Sequence, residues 1–197
     1  MRRLVLGLLF SALTLAASAR ARETAGDDTS KPSEMRASMP RPNNLGLRGM
    51  SWSSSSAGAG SRAAGLGIGI DYSYLLNPYF GLGGQILSYS DLLRPEYHAL
   101  DLSSATTALA FAEGRYPLLS FLAPYARGGA GLSSLTLVSD IPPGRSESRA
   151  ALSLSTELGL ELHYRVSLRL FVEGIFHPGV SEAAVVQSFG AELGGRF

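Results

Sequence analysis

Phe189-Gly190-Ala191-Glu192-Leu193-Gly194-Gly195-Arg196-Phe197 is the stretch that decides the fold. Side chains alternate across a strand with period 2. Phe189, Ala191, Leu193, Gly195 and Phe197 therefore share one face, and Gly190, Glu192, Gly194 and Arg196 share the other. The first face is apolar and ends in an aromatic. The second is small or charged. A soluble sheet would turn the apolar face inward. The rest of the chain argues for the opposite direction, with the apolar face toward lipid.

Working back from that segment, residues 43–197 divide into eight alternating segments bounded by turn signals. They fall near 44–53, 64–76, 79–90, 102–116, 124–137, 151–164, 167–176 and 185–197. The sixth is the cleanest: Leu152, Leu154, Thr156, Leu158, Leu160, Leu162 and Tyr164 alternate with Ser153, Ser155, Glu157, Gly159, Glu161 and His163. A helix would scatter those leucines around its axis, so the period selects a strand. The first segment, with Leu45, Leu47 and Arg48, alternates poorly. The fourth sets Ala108, Ala110 and Ala112 against Leu109, Phe111, Glu113 and Arg115, which fits either a bulge or an outer face of small residues.

The connections alternate in length. Asn77-Pro78 and Arg165-Val166 are tight, and residues 117–123 are moderate. Residues 54–63, 91–101, 138–150 and 177–184 are longer and more polar. An even number of antiparallel strands, with short turns on one rim and long loops on the other, is the pattern of an eight-stranded up-and-down transmembrane β-barrel. Tyr74, Phe80, Tyr116, Tyr125, Tyr164 and Phe197 sit at the short-turn end. Tyr74, Phe80, Tyr116, Tyr125 and Tyr164 are expected to form an interfacial girdle at headgroup depth. The other rim carries a thinner set, Trp52, Tyr89 and Phe176.

With the apolar face outward, the other face looks into the barrel. It carries Asp71, Gln85, Glu113, Arg115, Arg127, Glu157, Glu161, His163, Arg169, Glu173, Glu192 and Arg196. An eight-stranded barrel leaves just enough interior for side chains to fill. Enclosed charges must pair, and arginine's rigid fork suits carboxylates. The expectation is a plugged interior of Glu–Arg pairs.

Composition sets the address. Met1-Arg2-Arg3, the apolar run of residues 4–16 and Ala17-Ser18-Ala19 read as a signal peptide over residues 1–21, cleaved after 19 or 21. The run is too short to span ~30 Å of hydrocarbon as a helix. Residues 22–42, with Pro32, Pro40 and Pro42, read as a flexible periplasmic lead-in. The chain has no cysteine, which excludes disulfides and thiolate chemistry. A net charge of +1 gives no field to recruit nucleic acid.

These features together resemble the small outer-membrane β-barrel family, of the OmpA-barrel and OmpX kind. The likeness rests on the leader, the eight segments, Pro124-Tyr125-Ala126-Arg127-Gly128-Gly129-Ala130-Gly131 and the closing Gly194-Gly195-Arg196-Phe197. It implies residence in the cell outer membrane with periplasmic termini, among outer-membrane lipid and lipopolysaccharide. It also implies recognition by the barrel-assembly machinery, with Phe189, Leu193 and Phe197 as the assembly signal.

Chemistry is sparse. A serine hydrolase built on a barrel strand needs a base set against its nucleophile. None of His98, His163 and His177 lies in a His-x-Ser pair. His98 and His177 read as loop residues, and His163 as an interior or rim residue. No catalytic residue, cofactor or metal ligand is expected. The role expected is structural or surface-interaction, and the long loops name no extracellular partner. The alternatives are a lipid A-modifying barrel enzyme and a soluble periplasmic lipocalin-like barrel.

Overall fold

The computed structural model describes residues 42–55, 63–93, 101–139, 143–163, 166–181 and 183–197. The expected leader, nearly all of the lead-in, His98 and Tyr164 lie outside them. Eight strands follow in chain order: β1 Asn43–Ser55, β2 Ala64–Asn77, β3 Phe80–Leu93, β4 Asp101–Arg115, β5 Leu122–Ser139, β6 Arg145–His163, β7 Ser167–Phe176 and β8 Val185–Arg196. Each pairs antiparallel with its neighbours, and β1 closes on β8. The barrel has no open edge for most of its height, which satisfies the backbone where lipid could not.

The alternation points the way the charged faces demanded. Leu154, Leu158 and Leu162 are 43%, 52% and 37% exposed on the outer surface, while Glu157, Glu161 and Arg169 are buried. This arrangement is the inverse of a lipocalin-like barrel along these strands. On β4 Ala108, Ala110 and Ala112 face out and Leu109, Phe111 and Glu113 face in, so small residues on the outer face account for that segment's weak pattern. A register shift between Leu102 and Ser104 lies nearer the start of the same strand.

One rim is tight. Asn77 and Phe80 flank a two-residue turn. Asn43 and Phe197 meet there through paired backbone hydrogen bonds of 3.3 and 3.0 Å. At the opposite rim β5 and β6 run further than expected. Both continue into the residues read as a long loop, and β6 begins at Arg145. Gly144 takes a positive φ of 70° at the turn between them. The β6–β7 ladder starts only at Leu154, so residues 145–153 of β6 pair with β5 alone. Local hairpin pairing carries these two strands beyond the height of β7.

The interior has two storeys. Toward the short-turn rim it is charged. Toward the long-loop rim it is apolar, with Met50, Trp52, Leu87, Tyr89, Leu135 and Ile175 among the buried residues of one cluster. The buried acids and arginines lie in the lower storey, whereas the upper one mixes this cluster with small polar side chains such as Thr107, Ser133 and Ser153. Trp52 and Tyr89 are 3% and 2% exposed and stack edge to face inside the barrel, so they are not rim aromatics.

Candidate functional site within the barrel

The charged storey follows directly from the strand register. Across β4, β5 and β6, Glu113, Arg127 and Glu157 stand side by side. Across β6, β7, β8 and β1 the row reads Glu161, Arg169, Glu192, Arg48. Opposite charges on directly facing residues stabilise neighbouring strands. The lumen then lets each guanidinium reach strands it does not pair with.

Arg127 donates Nη1 to Asp71 Oδ2 at 2.7 Å and Nε to Glu113 Oε2 at 2.9 Å. Its guanidinium also lies 4.3 Å from the Phe111 ring centroid. Arg169 donates to Glu161 Oε2 at 3.1 Å and to Glu192 Oε1 and Glu113 Oε1, both at 3.4 Å. Arg48 donates to Glu157 Oε2 at 2.5 Å and to Gln85 Oε1, and stacks 3.9 Å over Phe171. Arg196 bonds Glu161, which also lies 3.6 Å from Arg115. Among the described residues, six interior carboxylates (Asp71, Glu113, Glu157, Glu161, Glu173, Glu192) meet five guanidiniums (Arg48, Arg115, Arg127, Arg169, Arg196).

Glu173 is the awkward member. It stands directly opposite Glu157 on β6, a like-charge pairing. Gln85 Nε2 donates to its Oε1 at 2.6 Å, and Arg48 bridges the two acids, 3.8 Å from Glu173 Oε2. Arg48 was missed in the sequence because Gly46 and Gly49 thin the pattern around it. The usable signal was parity: with Leu45 and Leu47 outward, Arg48 must point inward.

The girdle needs one correction. Tyr74, Phe80 and Tyr116 face outward, at 43%, 38% and 64% exposure. Tyr125 is 4% exposed, and its hydroxyl donates to Glu157 Oε1 at 2.7 Å. It shares the inward face of Arg127, two residues on, so it belongs to the interior. Phe189, Leu193 and Phe197 all face outward, each more than half exposed. His163 is half-buried at the lower end of β6.

A second site was not legible at all. His177, read as a loop residue, is 2% exposed. Its Nε2 lies 3.2 Å from Ser133 Oγ, and its Nδ1 lies 2.9 Å from the Ala183 carbonyl. A carbonyl can only accept, so Nδ1 carries the proton in the neutral ring and Nε2 accepts from Ser133. Ser133 Oγ also lies 2.6 Å from Thr107 Oγ1 and from Ser153 Oγ. Burial holds the His177 imidazole below its ordinary pKa. At the exposed hairpin, Arg149 donates to Glu147 at 2.8 Å and lowers that carboxyl's pKa. No group of three or more acids and histidines is placed to hold a metal among the described residues.

A closed, antiparallel, eight-stranded barrel with leucine outside and charge inside defines a membrane-spanning β-barrel protein. Over residues 6–197 the chain matches the outer membrane protein beta-barrel domain family, and it belongs to that family. Among solved structures it is similar to Neisserial surface protein A, with a TM-score of 0.61 at 17% identity, covering 79% of this chain and 97% of that one. It is also similar to Ail, the attachment invasion locus protein of Yersinia pestis, with a TM-score of 0.54 at 18% identity, covering 81% of this chain and all of that one. Ail in complex with the heparin analogue sucrose octasulfate gives a TM-score of 0.56 at 20% identity, over 81% of this chain. At these identities the likeness is one of fold. No curated protein matches the chain.

Proposed function

We propose that this protein is a plugged outer-membrane barrel with a structural and surface-contact role, its termini in the periplasm and its long-loop rim facing the cell exterior. The observation that carries the reading is the cross-lumen arginine network. Arg48, Arg127 and Arg169 each reach acids on strands they do not pair with, and all three are nearly or wholly buried. Such a belt leaves no wet path through a bore already filled by side chains. The surface role is supported by the β5–β6 hairpin, whose residues 145–153 extend past β7 on β6. Its base is still barrel wall, since β5 pairs with β4 up to Val138, and its tip is the exposed stretch from Gly144 to Ser146. The outward Phe189, Leu193 and Phe197 read as the assembly signal on β8, and Tyr74, Phe80 and Tyr116 as the headgroup girdle.

The test of the plug is solute flux. Protein reconstituted into liposomes should give no swelling in small sugars and no steady conductance in a planar bilayer; a stable open level sinks the reading. For the surface role, replacing Arg145, Glu147 and Arg149 at the hairpin tip by serine should leave outer-membrane abundance unchanged and abolish cell-surface contact.

A second reading, a lipid-modifying enzyme, draws on one observation: His177 stands against the Ser133 hydroxyl as a base stands against a nucleophile. The pair points into the barrel, and both residues are 2% exposed. A lipid substrate would approach from the outer face. The pair therefore reads as a tie between loop and wall, and catalysis is not proposed.

A further inference from the structure

The charged belt does not balance. Among the described residues it encloses six carboxylates and five guanidiniums, which leaves one negative charge over. An uncompensated charge is costly in a dry interior. The distances single out the acid that goes without. Asp71 and Glu113 lie 2.7 and 2.9 Å from Arg127. Glu157 lies 2.5 Å from Arg48. Glu161 lies 3.1 Å from Arg169 and is bonded by Arg196 as well. Glu192 lies 3.4 Å from Arg169. Glu173 alone of the six accepts no hydrogen bond from a guanidinium among the described residues. Its Oε1 takes the neutral amide of Gln85. Its Oε2 has no hydrogen-bond partner and lies 3.8 Å from Arg48.

The strands on either side of Glu173 sharpen the point. Glu157 stands directly opposite it on β6, and Ser188 directly opposite it on β8. Ser188 is 4% exposed, and its Oγ has no partner either. Side chains facing each other on paired strands have Cβ atoms about 4.5–5.5 Å apart, which puts this carboxyl and this hydroxyl within reach of one hydrogen bond. The other charged or titratable groups around Glu173 are Arg48 from β1, Arg127 from β5 and Tyr89 from β3, with Glu192 further along β8.

We propose that the belt is a binding site for one proton, held on Glu173 Oε2. A protonated carboxyl gains one O–H donor. Oε2–H then donates to Ser188 Oγ, while Oε1 keeps the Gln85 amide. The one proton brings the enclosed acids and guanidiniums to equal charge. It also removes the repulsion between Glu157 and Glu173, which face each other, and leaves Arg48 to Glu157. Finally, it gives Oε2 and Ser188 the partner that each lacks. Ser188 donating to an ionised Glu173 would make the same hydrogen bond but keep the surplus charge, so the charge balance selects the proton.

Infrared absorption reads the proton directly. The full-length mature protein is folded in micelles of a detergent without ester carbonyls, at about pH 7, well above the range near 4 in which exposed Asp and Glu titrate. The expected spectrum contains the C=O stretch of a protonated carboxyl above the amide I band, and the stretch moves to lower wavenumber in D2O. Glu173→Gln should abolish it while the folded form keeps its gel mobility. Ser188→Ala removes the acceptor and should move the stretch to higher wavenumber. Ser188→Thr keeps the hydroxyl and should leave it in place. Glu173→Asp draws the carboxyl back from Ser188 and should also move the stretch upward, which reads the same contact from the other strand. A spectrum of the parent without this stretch overturns the proton, because all six acids are then ionised. A stretch that survives Glu173→Gln, or that neither Ser188→Ala nor Glu173→Asp moves, overturns its placement on Glu173.

Discussion

Arg127 on β5 grips Asp71 on β2 with both terminal nitrogens, Nη1 to Oδ2 at 2.7 Å and Nη2 to Oδ1 at 3.3 Å. The two strands are not neighbours in the sheet, so this fork crosses the lumen. It converts a ring of strands held by local ladders into one braced from within.

Removing the brace should be expensive. Arg127→Met strips Asp71 of both its hydrogen bonds and leaves Glu113 with Arg169 alone, at 3.4 Å, at an expected cost of about 3–5 kcal/mol. Arg127→Lys keeps the charge and loses the fork, and should cost less. Adding Asp71→Asn to Arg127→Met should recover part of the loss. Urea titration of the heat-modifiable folded band in lipid measures all three.

Glu157 and Glu173 face each other, yet they are not equivalent. Glu157 accepts from both Arg48 and Tyr125, whereas Glu173 accepts from neutral Gln85 and has no bonded partner for Oε2 among the described residues. Glu157→Gln should destabilise by about 1.5–3 kcal/mol, the usual worth of a hydrogen bond to a charged group. Glu173→Gln removes a like-charge contact and should be neutral or stabilising. The same urea midpoints decide it, and equal losses for both would contradict this division of roles.

The glycine run in β5 makes a steric prediction. A Cβ on Gly131 would stand 1.9 Å from the Ala108 carbonyl oxygen of β4, whereas one on Gly128 would meet nothing. Gly131→Ala should therefore distort the β4–β5 ladder and lower folding yield sharply, and Gly128→Ala should fold as the parent does. Refolding yields compared side by side test the pair.

How much of this could be read from the chain depended on local period. Leu152 to Leu162 alternate with polar residues without a break, so β6 declared both its type and its outward face. The acids and arginines on the opposite parity followed from it. Tyr125 was misplaced because its position near a turn suggested a rim, while its parity with Arg127 put it inside. The apolar upper storey escaped because Leu87 follows an equally apolar Ile86 and Leu135 lies between Ser134 and Thr136, so parity lacks contrast at the first and points the wrong way at the second. His177 and Ser133 are 44 residues apart, joined by a loop that folds inward, and no periodicity encodes such a contact.

The lipid-facing wall should reject charge. Val172 lies near the middle of β7 and is 59% exposed on the outer surface. Val172→Arg should cost about 2–4 kcal/mol if it lies at the bilayer midplane. Phe171, its inward neighbour at 1% exposure, stacks under Arg48, and Phe171→Leu should loosen that stack and leave lipid contact unchanged. Folding yield into vesicles reads the first variant, and thermal gel shift reads the second.

The central claim is the direction of the apolar face, and brominated phospholipids test it most directly. Trp52, the one native tryptophan, lies inside the barrel, 3% exposed, and Leu158 lies outside, 52% exposed. In vesicles of phospholipid brominated along the acyl chain, Trp52 emission in the unaltered protein should stay near its unbrominated level at neutral pH. A Trp52→Phe, Leu158→Trp variant should be strongly quenched. Strong quenching of native Trp52 with none at position 158 would contradict the account.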